Sequence, residues 1–180
     1  MNIQSTRFED VYIIENFHMA DLRGEFVKFY HEEFFKSHNL CTSFKENYYT
    51  VSQKNVIRGM HFQLPPFDHN KLVHVISGAI TDVILDLRKH SPTYKQYFEI
   101  TLNAAEHRSL YIPKGFAHGY KSLEDNTIVV YSVSSVHAPD SDRGIHYNTF
   151  GYHWNIDLPI LSNKDKNLPS LENFMNSNPF

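Results

Sequence analysis

Apolar residues in this chain fall in short runs broken by polar turns, and they alternate more often than they recur at helical spacing. Val11–Phe17, Glu25–Tyr30 and Lys45–Ser52 read as strands on this pattern. Asp21-Leu22-Arg23-Gly24 separates the first two as a turn, with Gly24 supplying backbone freedom. His31–His38 carries the one modest helical pattern of the first half. From Val56 onward strands come every ten or so residues. Lys71–Ser77 and Ala79–Leu87 flank a tight turn at Gly78, and Phe98–Leu102, Ser109–Ile112 and Thr127–Val136 continue the series. Val83, Leu85 and Leu87 alternate with Asp82, Ile84 and Asp86, which predicts a half-buried strand. Pro159, Pro169 and Pro179 limit helix beyond Asp142 to a turn or two around Ser162–Lys166. Regular strand spacing without intervening helices predicts an all-β, jelly-roll-like fold. The 180 residues make one domain, enough for a core and short for two.

Composition then removes several function classes. A formal net charge of −3 supplies no basic field for nucleic acid. No apolar run approaches the roughly 18 residues of a membrane span, and the N-terminus has no basic-then-apolar signal pattern. Neither nucleic acid nor membrane is therefore expected as a partner. The single cysteine, Cys41, excludes an intramolecular disulfide and suits a cytoplasmic protein. Abundant Phe and Tyr favour strands and supply rings for stacking on planar ligands.

Candidate chemistry concentrates in Arg58–Gly78, RGMHFQLPPFDHNKLVHVISG. His61 and Lys71 stand there among apolar residues, where a polar head is costly without a partner or a task. Strand alternation places Lys71 on one face with Val73 and Val75, and that face looks inward. Such a lysine either snorkels to the barrel mouth or aims a fixed positive charge at a ligand anion or an enolate. His61 and Gln63 share a face. Arg58 falls on the opposite one unless Gly59 admits a bulge.

A second cluster, Pro113-Lys-Gly-Phe-Ala-His118-Gly-Tyr, delivers a histidine at the start of a strand. It fits the second half of the cupin signature, P-x-G-x-x-H-x-x-x-N, with Ser122 in place of the asparagine. The first half, with its H-x-H pair and glutamate, is met only in outline by His61-x-Gln63 and Lys71. A metal cupin needs about three histidines and a carboxylate. Here one histidine is Gln63 and the carboxylate is the cation Lys71, so a metal-free, cofactor-free cupin is expected. A metal-dependent cupin oxygenase on His61, His74 and His118 is the competing assignment, and alternation turns His74 away from Lys71.

With these residues assembled, the chain resembles the dTDP-4-dehydrorhamnose 3,5-epimerase family over nearly its whole length. The phrases run in order: D-x-R-G-x-F at Asp21–Phe26, V-I-R-G-M-H-F-Q at Val56–Gln63 and K-L-V-x-V-x-x-G at Lys71–Gly78. D-L-R-x-x-S-P-T at Asp86–Thr93, I-P-x-G-F-A-H-G at Ile112–Gly119 and V-V-Y at Val129–Tyr131 follow, then A-P-x-x-x-R-G at Ala138–Gly144 and L-S-x-K-D at Leu161–Asp165. The resemblance implies a cupin jelly-roll barrel with short peripheral helices, an exchanged N-terminal strand and a homodimer. It implies cofactor-independent inversion of carbons beside the C4 ketone of a nucleotide-diphosphate-linked 4-keto sugar, serving surface polysaccharide synthesis. His61 would be the base, oriented by Asp165. Lys71 and His118 would face the ketone oxygen, and Tyr131 would return a proton from the other face. Arg58 and Arg23 would grip the diphosphate, Arg23 from the partner subunit.

The nucleotide pocket departs from the family pattern. Lys28, two residues after Phe26, replaces a glutamate, and Glu46 and Tyr48 replace a Gln-x-Asn pair. His137 stands where an aromatic residue stacks on the base, and Asp142 near Arg143 replaces a glutamate. Glu46 could accept from a guanine or cytosine amino group, which thymine lacks. A GDP- or CDP-linked 4-keto sugar, such as a heptose, therefore competes with the dTDP-linked 6-deoxyhexose as substrate. Inversion at C3 or C5 alone would also fit these residues, as would non-catalytic sugar-nucleotide binding.

Overall fold

Strand alternation resolves into two facing sheets in the computed structural model, which describes all 180 residues. In chain order the elements are β1 (Asn2–Ser5), β2 (Tyr12–Glu15), β3 (Phe17–Asp21), β4 (Gly24–Lys28), α1 (Glu32–Ser37), β5 (Glu46–Ser52) and β6 (Ile57–Gln63). There follow β7 (Lys71–Ser77), β8 (Ala79–Asp86), β9 (Tyr97–Asn103), β10 (Arg108–Ile112), β11 (Phe116–Ser122), β12 (Thr127–Val133), β13 (Asp142–Gly144), α2 (Asn163–Lys166) and α3 (Leu171–Met175). One sheet runs β1-β2-β10-β7-β12-β5 and the other β13-β6-β11-β8-β9, while β3 and β4 form a separate hairpin. All the named strand pairs are antiparallel. The expected all-β jelly roll is present, and no helix is long and apolar enough to cross a membrane.

Three apolar clusters follow from the faces the strands present. Val73 and Val75 of β7, Ile80 and Ile84 of β8 and Val129 and Tyr131 of β12 meet between the sheets. Outside the second sheet, Val83 and Leu85 of β8 pack beneath Trp154 and Phe174 from the C-terminal segment. Outside the first, Leu72 and Tyr111 are covered by Phe35 of α1.

Two expectations are corrected here. Strand β8 is buried on both faces rather than half-buried, because the C-terminal segment covers the side that a bare sheet would leave to solvent. Gly78, at φ +74°, joins β7 and β8 across different sheets rather than closing a hairpin. A Cβ there would lie 2.3 Å from Thr127 Oγ1, so the crossing point has no room for a side chain. Strands β1 and β13 and helix α3 are short and carry no periodic pattern that predicts them.

The irregularity at Gly59 is the detail that shapes the inner wall. Pairing of β6 with β11 is in register at His61↔His118 and shifts before Arg58↔Tyr120. Gly59 sits at φ +142°, and a Cβ on it would come within 2.5 Å of Gly119 Cα. The bulge lets Arg58 and His61 both point inward while Ile57 and Met60 join the outer cluster.

Candidate active site

The cleft opens at one end of the barrel, where β6 finishes and β5 and β7 begin, beside β13 and α2. It measures about 420 Å³, large enough for a sugar-sized ligand, and is lined by Glu46, Tyr48, His61, Gln63, His69, Lys71, His137, Asp142 and Lys164 among others. His61, Lys71 and His118 also line a narrower crevice at its base.

His61 is held by an aspartate far along the chain. Its Nε2 lies 2.6 Å from Asp165 Oδ1, with the ring about one-third exposed and the carboxylate buried. Asp165 is delivered by α2, whose Ser162 cap accepts the Asp165 backbone N–H at 3.0 Å. Burial works to raise the Asp165 pKa, yet the His61 hydrogen bond, Ser162 and Lys164 together hold it below its usual range. Nε2–H of His61 donates to the ionised Asp165, which leaves Nδ1 as the ring nitrogen with a free lone pair.

Lys71 faces inward with Val73 and Val75, as alternation predicts, and is 7% exposed. Burial brings its pKa down from 10.5 to about 8, against the pull of Asp82 and Asp142. Its Nζ lies 3.5 Å from His118 Nδ1, and His118 Nε2 lies 2.5 Å from Asp82 Oδ1. Burial, with Lys71 adding to it, lowers the His118 pKa, while Asp82 opposes the shift. The neutral ring thus donates from Nε2 to Asp82 and accepts at Nδ1 from the ammonium, and the three residues fix one another.

Asp82 is among the site residues absent from the sequence-based expectation. Alternation put it with Ile84 on the side of β8 opposite Val83, and that side proved to be the barrel interior. The available signal was a carboxylate in a run buried on both faces, which requires a partner. His69 and Lys164 were missed as well. Burial first, then Lys71, pushes the His69 pKa down to about 3, so its ring is neutral. Lys164 pairs with Asp142.

Tyr131 is buried between two rings. Tyr48 stacks on it at 4.9 Å and 20°, and His118 meets it edge-on at 6.0 Å. Burial raises its pKa well above the usual phenol value, so it keeps its proton. Glu46 turns one carboxylate oxygen to the His137 backbone N–H at 2.8 Å.

The remaining predicted residues take several positions around and away from the cleft. Gln63 lines the cleft, but its amide is already engaged: Nε2 donates to the Phe67 and Val136 carbonyls and Oε1 accepts from the Ala138 N–H. It anchors the cleft's loops instead of offering a free donor. Arg58 points inward yet bonds Ser52 Oγ and the Val51 carbonyl, at the end of β5 away from the cleft. Arg143 is exposed and bonds the Asp142 carbonyl. Arg23, Phe26 and Lys28 ride on the β3–β4 hairpin and do not line this chain's own cleft. Arg23 is paired with Asp21, and the Lys28 ammonium sits over the Phe17 and Phe26 rings. His74 lies on the outer face of β7, bonded to Asn16 and stacked on Phe29, which separates it from His61 and His118. The three histidines therefore form no common ligand set.

A jelly-roll barrel with a His–Asp pair and a buried ammonium around one cleft defines a cupin-type fold. Comparison with known proteins narrows the class. The sequence profile of dTDP-4-dehydrorhamnose 3,5-epimerase matches residues 5–173. The dTDP-4-dehydrorhamnose 3,5-epimerase of Escherichia coli K12 is 37% identical over 179 residues, covering 96% of this chain and 95% of its own. The Bacillus anthracis enzyme of the same name, solved with TDP and pyrophosphate bound, superposes with a TM-score of 0.91 at 40% identity, covering 94% of this chain and 99% of its own. A Legionella pneumophila dTDP-6-deoxy-D-glucose-3,5-epimerase, solved with dTDP-4-keto-L-rhamnose, gives a TM-score of 0.89 at 32% identity, over 95% and 93% of the two chains. The chain belongs to the dTDP-4-dehydrorhamnose 3,5-epimerase family. It is a nucleotide-sugar epimerase, an enzyme of the isomerase class.

Proposed function

We propose that this chain inverts C3 and C5 of a dTDP-linked 4-keto-6-deoxyhexose without a cofactor, in the cytoplasm, for surface polysaccharide synthesis. The observation that carries the reading is the His61–Asp165 pair sharing one cleft with the Lys71–His118–Asp82 chain. A proton on a carbon beside a ketone is acidic enough to transfer once base and charge stabilisation are both positioned. His61 takes that proton, and the C–H electron pair moves into an enolate. Lys71, held by His118, balances the charge growing on the former ketone oxygen. Tyr131, still protonated, returns a proton to the opposite face; His61 then releases its extra proton and Tyr131 regains one through solvent, so the carbon inverts and nothing else is consumed.

The chain works as a homodimer in this reading. The hairpin β3–β4 exposes Phe17, Met19 and Phe26 on one face and carries Arg23 and Lys28. Inserted into a partner's cleft, that face would be covered, and Arg23 would meet the diphosphate through its guanidinium fork.

A second reading concerns the base. Glu46 places a carboxylate in the cleft, with only one of its oxygens bound to His137 N–H. The free oxygen suits an exocyclic amino group, so a GDP- or CDP-linked 4-keto sugar competes with the dTDP-linked one. Incubating dTDP-, GDP- and CDP-linked 4-keto sugars with the enzyme in D₂O, followed by product NMR, tests both readings. Deuterium at C3 and C5 of the dTDP-linked substrate is expected. Deuterium at one carbon limits the enzyme to a single inversion, none anywhere reduces it to a binding protein, and clear dTDP preference removes the second reading.

A further inference from the structure

Outside the cleft, three metal-ligating side chains converge where the β3–β4 hairpin leaves the barrel. His18 and Glu25 share one face of the hairpin: His18 stands opposite Val27, Glu25 opposite Ala20, so the two are diagonal neighbours. His107, which follows the short 3-10 turn Ala104–Glu106, reaches them from the barrel body. The two imidazoles lie parallel at 4.0 Å. Glu25 Oε2 lies 3.8 Å from His18 Nε2 and 3.7 Å from His107 Nε2, and one ligand atom from each of the three residues lies within 4.8 Å of the other two.

These separations are too long for hydrogen bonds, and none of the three side chains makes one to any other protein group. Two stacked rings beside a single carboxylate oxygen have the composition of a three-ligand zinc site, two histidines and a glutamate. Ligand–metal distances of about 2.0–2.2 Å put donors of a tetrahedral ion roughly 3.3 Å apart, so each histidine–carboxylate gap has to close by about half an ångström. The exposed hairpin can supply that movement. The His107 end of the site is firm: the His107 carbonyl accepts the Asn16 N–H at 2.9 Å, and Asn16 is buried against Ser109.

We propose that His18, Glu25 and His107 bind a divalent transition ion of the zinc type, one per chain, with water completing the coordination. The ion fastens the middle of the hairpin to the barrel, whereas the backbone bond from Asn16 fastens only its root. The hairpin's opposite face carries Phe17, Phe26 and Lys28 and its turn carries Arg23, so the ion sets the direction in which those groups are presented. None of the three ligands lines the catalytic cleft, and the proton-transfer chemistry does not pass through the ion.

Titrating zinc into the chelator-stripped full-length protein by calorimetry tests the proposal, with cobalt absorption reporting coordination. One site per chain is expected. His107→Ala, His18→Ala and Glu25→Gln should each weaken it by more than the roughly 10–100-fold that loss of an outer-shell partner costs. His90→Ala, an exposed histidine elsewhere, should leave it intact. Amide exchange over residues 17–28 should slow on adding zinc in the wild type and not in His107→Ala. The assignment is overturned by no saturable zinc binding, by binding that survives all three ligand changes, or by binding that His90→Ala abolishes equally.

Discussion

The histidines of two histidine–aspartate pairs sit on neighbouring strands of one sheet, with His61 and His118 directly paired in register, yet their surroundings differ. In the first, His61 is one-third exposed and turns one ring edge to the cleft while Asp165 holds the other. In the second, His118 and Asp82 are both buried and the free ring nitrogen meets the Lys71 ammonium. The same two residue types thus yield an accessible imidazole in one place and a fixed dipole behind a cation in the other. Solvent access and the third group decide the role; residue identity alone does not.

That contrast predicts different losses on substitution. His61→Ala should reduce kcat by about 10²–10⁴-fold, the range for a removed general base, and should also lower the melting temperature, because the buried Asp165 carboxylate loses its partner. A His61→Ala enzyme retaining wild-type turnover would falsify the assignment of the open pair as the base.

Next in size, Lys71→Met should cost about 10²–10³ in kcat, as expected for one charge-stabilising donor. The same lysine predicts the wild-type pH profile. With its pKa near 8, the ammonium is present below that pH and kcat/KM should fall as pH rises through about 8. The stability sign is opposite. Between about 8 and 10.5 the unfolded chain binds the proton that the folded chain has lost, so folding stability gains through that window as pH rises. Stopped assays and denaturant midpoints across pH 6–10.5 would read both slopes, and an alkaline limb that Lys71→Met leaves in place would point to another group.

The smallest effect separates the two aspartates. Asp82→Ala leaves the buried His118 N–H unpaired, a cost of about 1–3 kcal/mol in unfolding free energy. Asp165→Ala frees a ring that can turn to water, so under about 1 kcal/mol is expected, with the larger kcat loss. Urea midpoints and turnover numbers for the pair of variants should rank in opposite order. Matching order would mean the two pairs are equivalent after all.

Much of the inner wall was legible from the chain. Along Lys71–Ser77 the two-residue period of a strand puts Lys71, Val73 and Val75 on one face, and that face is inward. Asp82 was harder: the alternating pattern of β8 marks two faces without saying that both are covered, since the covering residues Trp154 and Phe174 lie far downstream. Gln63 was read by analogy with a ligand position, and only the loops it ties show that its amide is occupied. Arg58 needed the Gly59 bulge to face inward, and even then its guanidinium is held at the wrong end of β5.

Most of the strands, the inward direction of Lys71 and the presence of a histidine, a lysine and a tyrosine at inward positions are legible in the chain alone. Those are local properties, set by the two-residue period of a strand and by the chemistry of each side chain. Tertiary structure decided which aspartate serves which histidine, across 104 residues for His61 and 36 for His118. It also decided which of the two pairs opens to the cleft. Period and propensity relate neighbours along one strand, whereas partnership and solvent access depend on how separate strands close around a common interior.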